Sequence, residues 1–297
     1  MIDKKRLVVV GIDGSDAAQG AFAHAAWEAH RRGCPLRLVY AVNVPPPYVT
    51  GVDLTEIDRK AGADLLADYQ ARALVAFPEL TVECEVVTRS PGGALVAASA
   101  DAQLVVVGSR GLGGFAGLLL GSVGTQLAAH SVAPVIVMRP PDDPGKLGVG
   151  PADAPVVVGV DGVPESAAAL DFAFDQASAR GVPLIATYAW WTLPLTQLGP
   201  TSPDRFDVVE AENEARRMLA EAVAGRAQQY PDVTVTLRPE RTLSPVVALL
   251  DLSRTAGLLV VSRHSGNTLS RLLFASISDT VVREAQCPVA VVPDKSI

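Results

Sequence analysis

The chain has 297 residues, enough for two domains at about 150 residues each. Its 25 Lys and Arg against 32 Asp and Glu leave a net charge of −7 and a pI near 5.1. That balance argues against a nucleic-acid backbone or an anionic membrane surface as main partner, because both need a basic face.

Leu7–Gly11 is a β-branched apolar run and reads as a buried strand. Ser15 or Asp16 can cap the helix that follows, and Gly33 can end it. Pro35–Val42 is a second strand, and Asn43–Thr55, with three consecutive prolines, a loop. A helix is expected from about Ile57 to Ala76, stopped by Pro78, then a strand over Thr81–Val87. Ser90-Pro91 opens the next helix, with proline in its first turn. Strand Leu104–Val107 runs into a glycine-rich stretch, and helix Ser122–His130 and strand Val135–Met138 close the unit.

The unit then repeats. Val8-Val9-Val10-Gly11-Ile12-Asp13-Gly14 returns as Val156-Val157-Val158-Gly159-Val160-Asp161-Gly162, and the ungapped match runs on to Tyr40-Ala41 and Tyr188-Ala189. Later the spacing widens by six residues, so that Pro91 meets Pro245 and Pro134-Val135 meets Pro288-Val289. A period near 150 residues is that of a whole domain rather than a solenoid repeat. The expected division is residues 1–140, a Pro- and Gly-rich linker at 141–155, and residues 156–297. Alternating strands and helices imply an α/β chain with two tandem doubly wound five-stranded parallel sheets. In such sheets ligands bind beyond the carboxyl ends of the strands, where strand order reverses. That places Asp13, Ala41 and the stretch from Gly108 onward at a candidate site.

The longest apolar runs are strand-sized, far short of the ~20 residues of a membrane span, and the apolar stretch after the basic N-terminus is too short for a secretory signal. Cys34, Cys84 and Cys287 form no C-x-x-C pair, which fits reduced thiols in a cytoplasm. They adjoin or lie in apolar strands and read as inert, and no Cys/His cluster suggests zinc. His24 and His30 read as surface residues of the first helix, and Trp190-Trp191 as the start of a longer loop.

The stretch after the fourth strand carries the chemistry. Gly108-Ser109-Arg110-Gly111 is followed, nine residues later, by Gly121-Ser122-Val123-Gly124. Gly108 and Gly111 let the backbone turn and approach a ligand. Gly121-Ser122 stands at a helix start, where free N–H groups and the positive end of the dipole suit phosphate. Arg110 can add a charge-assisted bond, and Ser109 and Ser122 hydroxyl donors. Asp13 across the crevice can hold a ribose hydroxyl or, through water, magnesium. No P-loop G-x-x-x-x-G-K-[ST] occurs. Gly111-x-Gly113-x-x-Ala116 starts too far past its strand for a dinucleotide fingerprint and lacks the acidic residue that should follow.

The spacing G-x2-G-x9-G-S of Gly108, Gly111, Gly121 and Ser122 resembles the ATP-binding signature of the universal stress protein family. The opening Val-Gly-Ile-Asp-Gly-Ser and the Pro-Val-Ile-Val close fit it too, and the likeness covers both halves. The resemblance implies the family's adenine nucleotide alpha hydrolase-like fold, with ATP, with or without magnesium, in the crevice of the first half. It implies Ile12, Asp13 and Ala41 at adenine and ribose, Gly108, Arg110 and Gly111 at ribose and phosphates, and Gly121, Ser122 and Val123 at the phosphates. Gly14, Ser15, Ser109 and Gly124 complete the implied set. Gly124 stands where members often have Ser or Thr, a loss of one hydroxyl donor and about 1 kcal/mol. The resemblance further implies an internal pseudo-dimer through strands Val135–Met138 and Val289–Val292, with a homodimer as a further option.

In the second half the loop reads Ser262-Arg263-His264-Ser265, and Ala275-Ser276 follows nine residues on. All three signature glycines are gone. If they adopt positive φ, each replacement is strained. The second half is therefore expected to bind ATP weakly or not at all, while Asp161, Ser276 and the basic set Arg263, His264 and Arg271 leave open another anion. The function expected is ATP binding by the first half as a nucleotide-dependent switch or sensor in the stress response. Two alternatives stay open: a slow ATPase, for which no convincing general base is found, and an interaction protein without nucleotide.

Overall fold

The computed structural model describes residues 7–42, 54–111, 120–139, 153–160, 167–190, 208–263 and 269–294. Asp161, Gly162, Trp191, His264 and Ser265 lie outside these, as do the side chains of Arg271, Ala275 and Ser276.

The chain forms two compact units. The first holds residues 1–149 with 282–284 and 288–293, and the second the remainder. In the first unit the elements run β1 (Leu7–Gly11), α1 (Asp16–Arg31), β2 (Leu36–Val42), α2 (Leu54–Ala76), β3 (Val82–Thr88), α3 (Pro91–Ala98), β4 (Ala102–Gly108), α4 (Ser122–His130) and β5 (Val135–Met138). The second contains β6 (Val156–Gly159), α5 (Ala167–Arg180), β7 (Leu184–Trp190), α6 (Val208–Gln229), β8 (Val235–Arg241), α7 (Pro245–Ser253), β9 (Leu258–Arg263) and most of α8 (Leu269–Glu284). The last strand, β10 (Val289–Pro293), belongs to the first unit, where Val289 faces Val137 in an antiparallel pair with β5.

Strand order in the first unit is β3-β2-β1-β4-β5-β10, parallel from β3 to β5 with β10 antiparallel at the end. The order reverses between β1 and β4, so the carboxyl ends of these strands diverge into a crevice. β9-β6-β7-β8 repeats the arrangement in the second unit. The central strands are buried on both faces, as helices on each side of a parallel sheet require: Val8, Val9, Val10, Leu104, Val105 and Val106 are fully buried.

Local signals set the boundaries. Ser15 accepts from the Ala18 N–H at 3.2 Å and caps α1, and Gly33 ends it at φ 58°. Pro91 occupies the first turn of α3. A device after α3 recurs after α7: Ser99 Oγ accepts from Val132 N–H, and Ser253 Oγ from Gln286 N–H, each at 3.1 Å. Both hydroxyls also donate back into their own helix, to Val96 O and Leu250 O.

Two expectations are corrected. His24 is buried, beside the fully buried Glu28 at 3.7 Å, because α1 packs against both β1 and β4. Glu28 also pairs with Arg31 and Arg32, each at 2.7 Å. Trp190 is the buried end of β7, continuing the strand rather than opening a loop.

Candidate functional site

A cavity of about 530 Å³ opens at the reversal point of the first unit. Its floor is built from strand ends, with Gly11 of β1, Val39, Tyr40 and Ala41 of β2, and Val107 and Gly108 of β4. Its rim comes from the segment after β1 (Ile12, Asp13 and Ser15), from Ala18 of α1, and from Pro91 and Leu95 of α3. Ser109, Arg110 and Gly111 follow β4, and Leu120 to Gly124 close the far side at the start of α4.

Of the thirteen residues singled out from sequence, twelve line this cavity: Ile12, Asp13, Ser15, Ala41, Gly108, Ser109, Arg110, Gly111, Gly121, Ser122, Val123 and Gly124. Gly14 does not. It turns the chain at φ 83° between Asp13 and α1. Gly11, Ala18, Val39, Tyr40, Pro91, Leu95, Val107 and Leu120 line it as well and were not singled out. A weak signal existed, since Pro91 and Leu95 return as Pro245 and Leu249.

The glycines serve close approach, not positive φ, which among the described residues is confined to Gly14, Gly33 and Gly181. A Cβ on Gly108 would lie 2.7 Å from the carbonyl carbon and Cβ of Ala17, so β4 meets the start of α1 with no room for a side chain. A Cβ on Gly111 would lie 2.4 Å from Asp13 Oδ2. One on Gly11 would strike Leu95 Cδ1 at 2.7 Å. Gly124 admits Leu120, whose Cδ1 lies 2.6 Å from the missing Cβ, so a Ser or Thr side chain here would displace Leu120. Gly121 alone has room: its nearest neighbour would be Ser109 O at 3.5 Å.

Hydrogen bonds hold the polar groups in place. Asp13 Oδ1 accepts from the Ser15 N–H at 3.0 Å and from its hydroxyl at 2.6 Å. That leaves Oδ2 on the Gly111 side. The Gly121 N–H donates to Ser109 O at 2.7 Å, which ties the start of α4 to the end of β4. The N–H groups of Ser122, Val123 and Gly124 come next and have no acceptor within the helix. Ser109 is 1 % exposed, and its hydroxyl has no partner among the described residues. Arg110 is exposed at the rim.

Tyr40 is held from behind. Its hydroxyl donates to Asp58 Oδ1 at 2.7 Å, and its ring lies against α2 where Gly62 has no Cβ; one there would be 2.3 Å from Cδ1. Burial, and then the Asp58 carboxylate, push the Tyr40 phenol up to about 12.

The donor set suits an anion with an apolar, flat end. The strand ends and Leu95 give an apolar slot, whereas the α4 N–H groups, Ser122 and Arg110 gather donors and positive potential at the other end. The volume lies within the ~300–1,000 Å³ usual for small-molecule sites. No group of three or more potential metal ligands occurs among the described residues, so a divalent ion here would rely on Asp13 and the ligand itself.

Comparison with known proteins agrees with this architecture. The model of the universal stress protein family matches residues 5–139 and again 154–293. The chain belongs to that family. Universal stress protein Mb2028c of Mycobacterium bovis is 36 % identical over 296 residues, 97 % of each chain. Universal stress protein Rv2623 of Mycobacterium tuberculosis is 36 % identical over 292 residues, 96 % of this chain and 95 % of that one. A crystal structure of a universal stress protein from Archaeoglobus fulgidus shares the fold, with a TM-score of 0.68 at 18 % identity, covering 99 % of this chain and 98 % of that one. No described helix is long and apolar enough to cross a membrane.

Proposed function

We propose that the first unit of this tandem universal stress protein binds ATP in the β1–β4 crevice and acts as a nucleotide-dependent regulator or sensor in the stress response. The observation that carries this reading is the Ser109 hydroxyl, buried at a ligand-sized cavity without a partner, beside the three open N–H groups at the start of α4. A buried hydroxyl without an acceptor or donor is costly, by about 1–3 kcal/mol, and a ligand oxygen would relieve that cost.

In this reading the adenine lies in the slot of Gly11, Ile12, Val39, Ala41 and Leu95, and Asp13 takes a ribose hydroxyl through Oδ2. Arg110, Ser109, Ser122 and the N–H groups of Val123 and Gly124 hold the phosphates. Asp13 would hold a magnesium ion through water, and the ion would offset phosphate charge. The protein's part is to bind and orient. Regulation requires that ATP binds one conformation better than another, by a free energy equal to the shift it produces.

Titration calorimetry with ATP tests the reading. Saturable binding that falls at least tenfold in Ser122→Ala and Arg110→Ala together supports it. Heat that does not saturate, with the fold intact by circular dichroism, overturns it.

A further inference from the structure

The phosphate end of the first crevice is built from few donors, and one of its walls is hydrocarbon. In the ATP reading, on which this inference rests, phosphate meets the open N–H groups of Ser122, Val123 and Gly124, the hydroxyls of Ser109 and Ser122, and Arg110. The next hydroxyl along α4 is already committed, since Thr125 Oγ1 donates to Gly121 O at 3.2 Å. Residues 112–119, which join Gly111 to Leu120, carry no polar side chain. Arg110 is exposed, so water and salt screen its charge.

Leu120 takes the place of a further donor. It lines the cavity and is 6 % exposed. A Cβ on Gly124 would lie 2.6 Å from Leu120 Cδ1 and 3.4 Å from its Cγ, so the leucine fills the space that a side chain at 124 would need. Glycine is a poor helix residue, and what Gly124 gives in return is this seat for Leu120. The fold itself accepts a hydroxyl at this point of the helix. Ser278 holds the matching position in the second unit, where it is 6 % exposed.

A third phosphate brings more charge and more oxygens, and each buried oxygen needs a donor. The N–H groups of α4 with the two serine hydroxyls make a set about the size of a diphosphate. Beyond it stand the Leu120 side chain and the screened Arg110. A terminal phosphate therefore gains nothing on entering and stays in water.

We propose that the first crevice recognises adenosine with two phosphates and is indifferent to the third, so that ADP and ATP bind equally well. Leu120 seated on Gly124 sets this specificity. The protein then reports the sum of ADP and ATP and not their ratio.

Calorimetric titration of the full chain with AMP, ADP and ATP, with magnesium chelated, tests this. ADP and ATP should agree within about threefold in Kd, and AMP should bind at least about tenfold more weakly. Gly124→Ser combined with Leu120→Ala adds a hydroxyl and the room for it. This variant should favour ATP over ADP by about tenfold, the effect of one hydrogen bond to a charged oxygen. ATP binding at least tenfold more tightly than ADP in the parent would overturn the proposal. So would an unchanged ratio in the double variant, with its fold confirmed by circular dichroism; should that variant not fold, the parent's ratio decides alone. Failure of all three nucleotides to bind, or equal binding by all three, would instead contradict the ATP reading itself, and the proposal with it.

Discussion

Gly111 faces Asp13 so closely that a single added carbon would lie 2.4 Å from the carboxylate oxygen Oδ2. The other oxygen is fixed by two donors from Ser15, so Asp13 cannot swing aside without losing them. The glycine thus keeps open the space in front of a carboxylate already turned toward the cavity.

Gly111→Val should therefore lose ATP binding by at least tenfold. Its stability should fall by about 1–3 kcal/mol, the usual effect of overpacking. Calorimetric titration and urea denaturation measure the two separately. Binding at parental strength would mean that Asp13 and Gly111 do not border the ligand.

Ser15→Ala removes two functions at once, the cap on Ala18 and the hold on Asp13 Oδ1. A lost N-cap costs about 1 kcal/mol. ATP affinity should fall as well, because Asp13 Oδ1 loses the hydroxyl donor that helps to orient it. Ser15→Asp restores a capping acceptor but brings a second carboxylate to Asp13. It should recover stability and not affinity. Recovery of both by Ser15→Asp would show that Ser15 acts only as a cap.

Tyr40 gives a pH signature. Its folded pKa of about 12 lies above the ordinary 10, so the neutral phenol is favoured by folding. That contribution is complete below pH 10 and is lost as pH rises from 10 through 12. Absorbance titration of the five tyrosines should show a late step that is absent in Tyr40→Phe. In Asp58→Asn that step should move toward lower pH, because the carboxylate that raises it is gone. An unmoved step in Asp58→Asn would contradict the pairing.

Glu28 is fully buried and bridges Arg31 and Arg32. Its counterpart in the second unit is the fully buried Gln176, which accepts from the guanidinium of Arg180 at 3.1 Å. A neutral acceptor therefore satisfies the same place in the fold. Glu28→Gln should cost under about 1 kcal/mol, while Glu28→Ala, which leaves the arginines facing a void, should cost about 2–4 kcal/mol. Equal losses in the two variants, by thermal or urea unfolding, would refute this.

Much of the fold was legible because its signals are local. β1, α4 and β5 lie where apolar runs, Gly121 and Pro134 place them, and alternation with handedness narrowed the sheet to a few doubly wound arrangements, of which the structure has one. The loop glycines were legible as a pattern but not in their reason. Positive φ seemed the natural requirement, whereas the actual one is contact with Ala17, Asp13 and Leu120, neighbours distant in sequence or folded back over a helix start. Tyr40 was hidden for the same cause, since its pairing with Asp58 and Gly62 arises only when α2 packs on β2. His24 looked exposed because it lies on the first helix, away from the strand tips. Inside, its Nε2 lies 3.7 Å from the buried Glu28 carboxylate, a proximity that appears only once α1 is packed.

The central claim is that the crevice of the first unit takes ATP. The most direct measurement is the number of ATP molecules bound per full chain at saturation, by equilibrium dialysis, for the parent and for Gly111→Val. One per chain, abolished in Gly111→Val with the fold retained, is the predicted result. None, or one still bound by Gly111→Val, would contradict it.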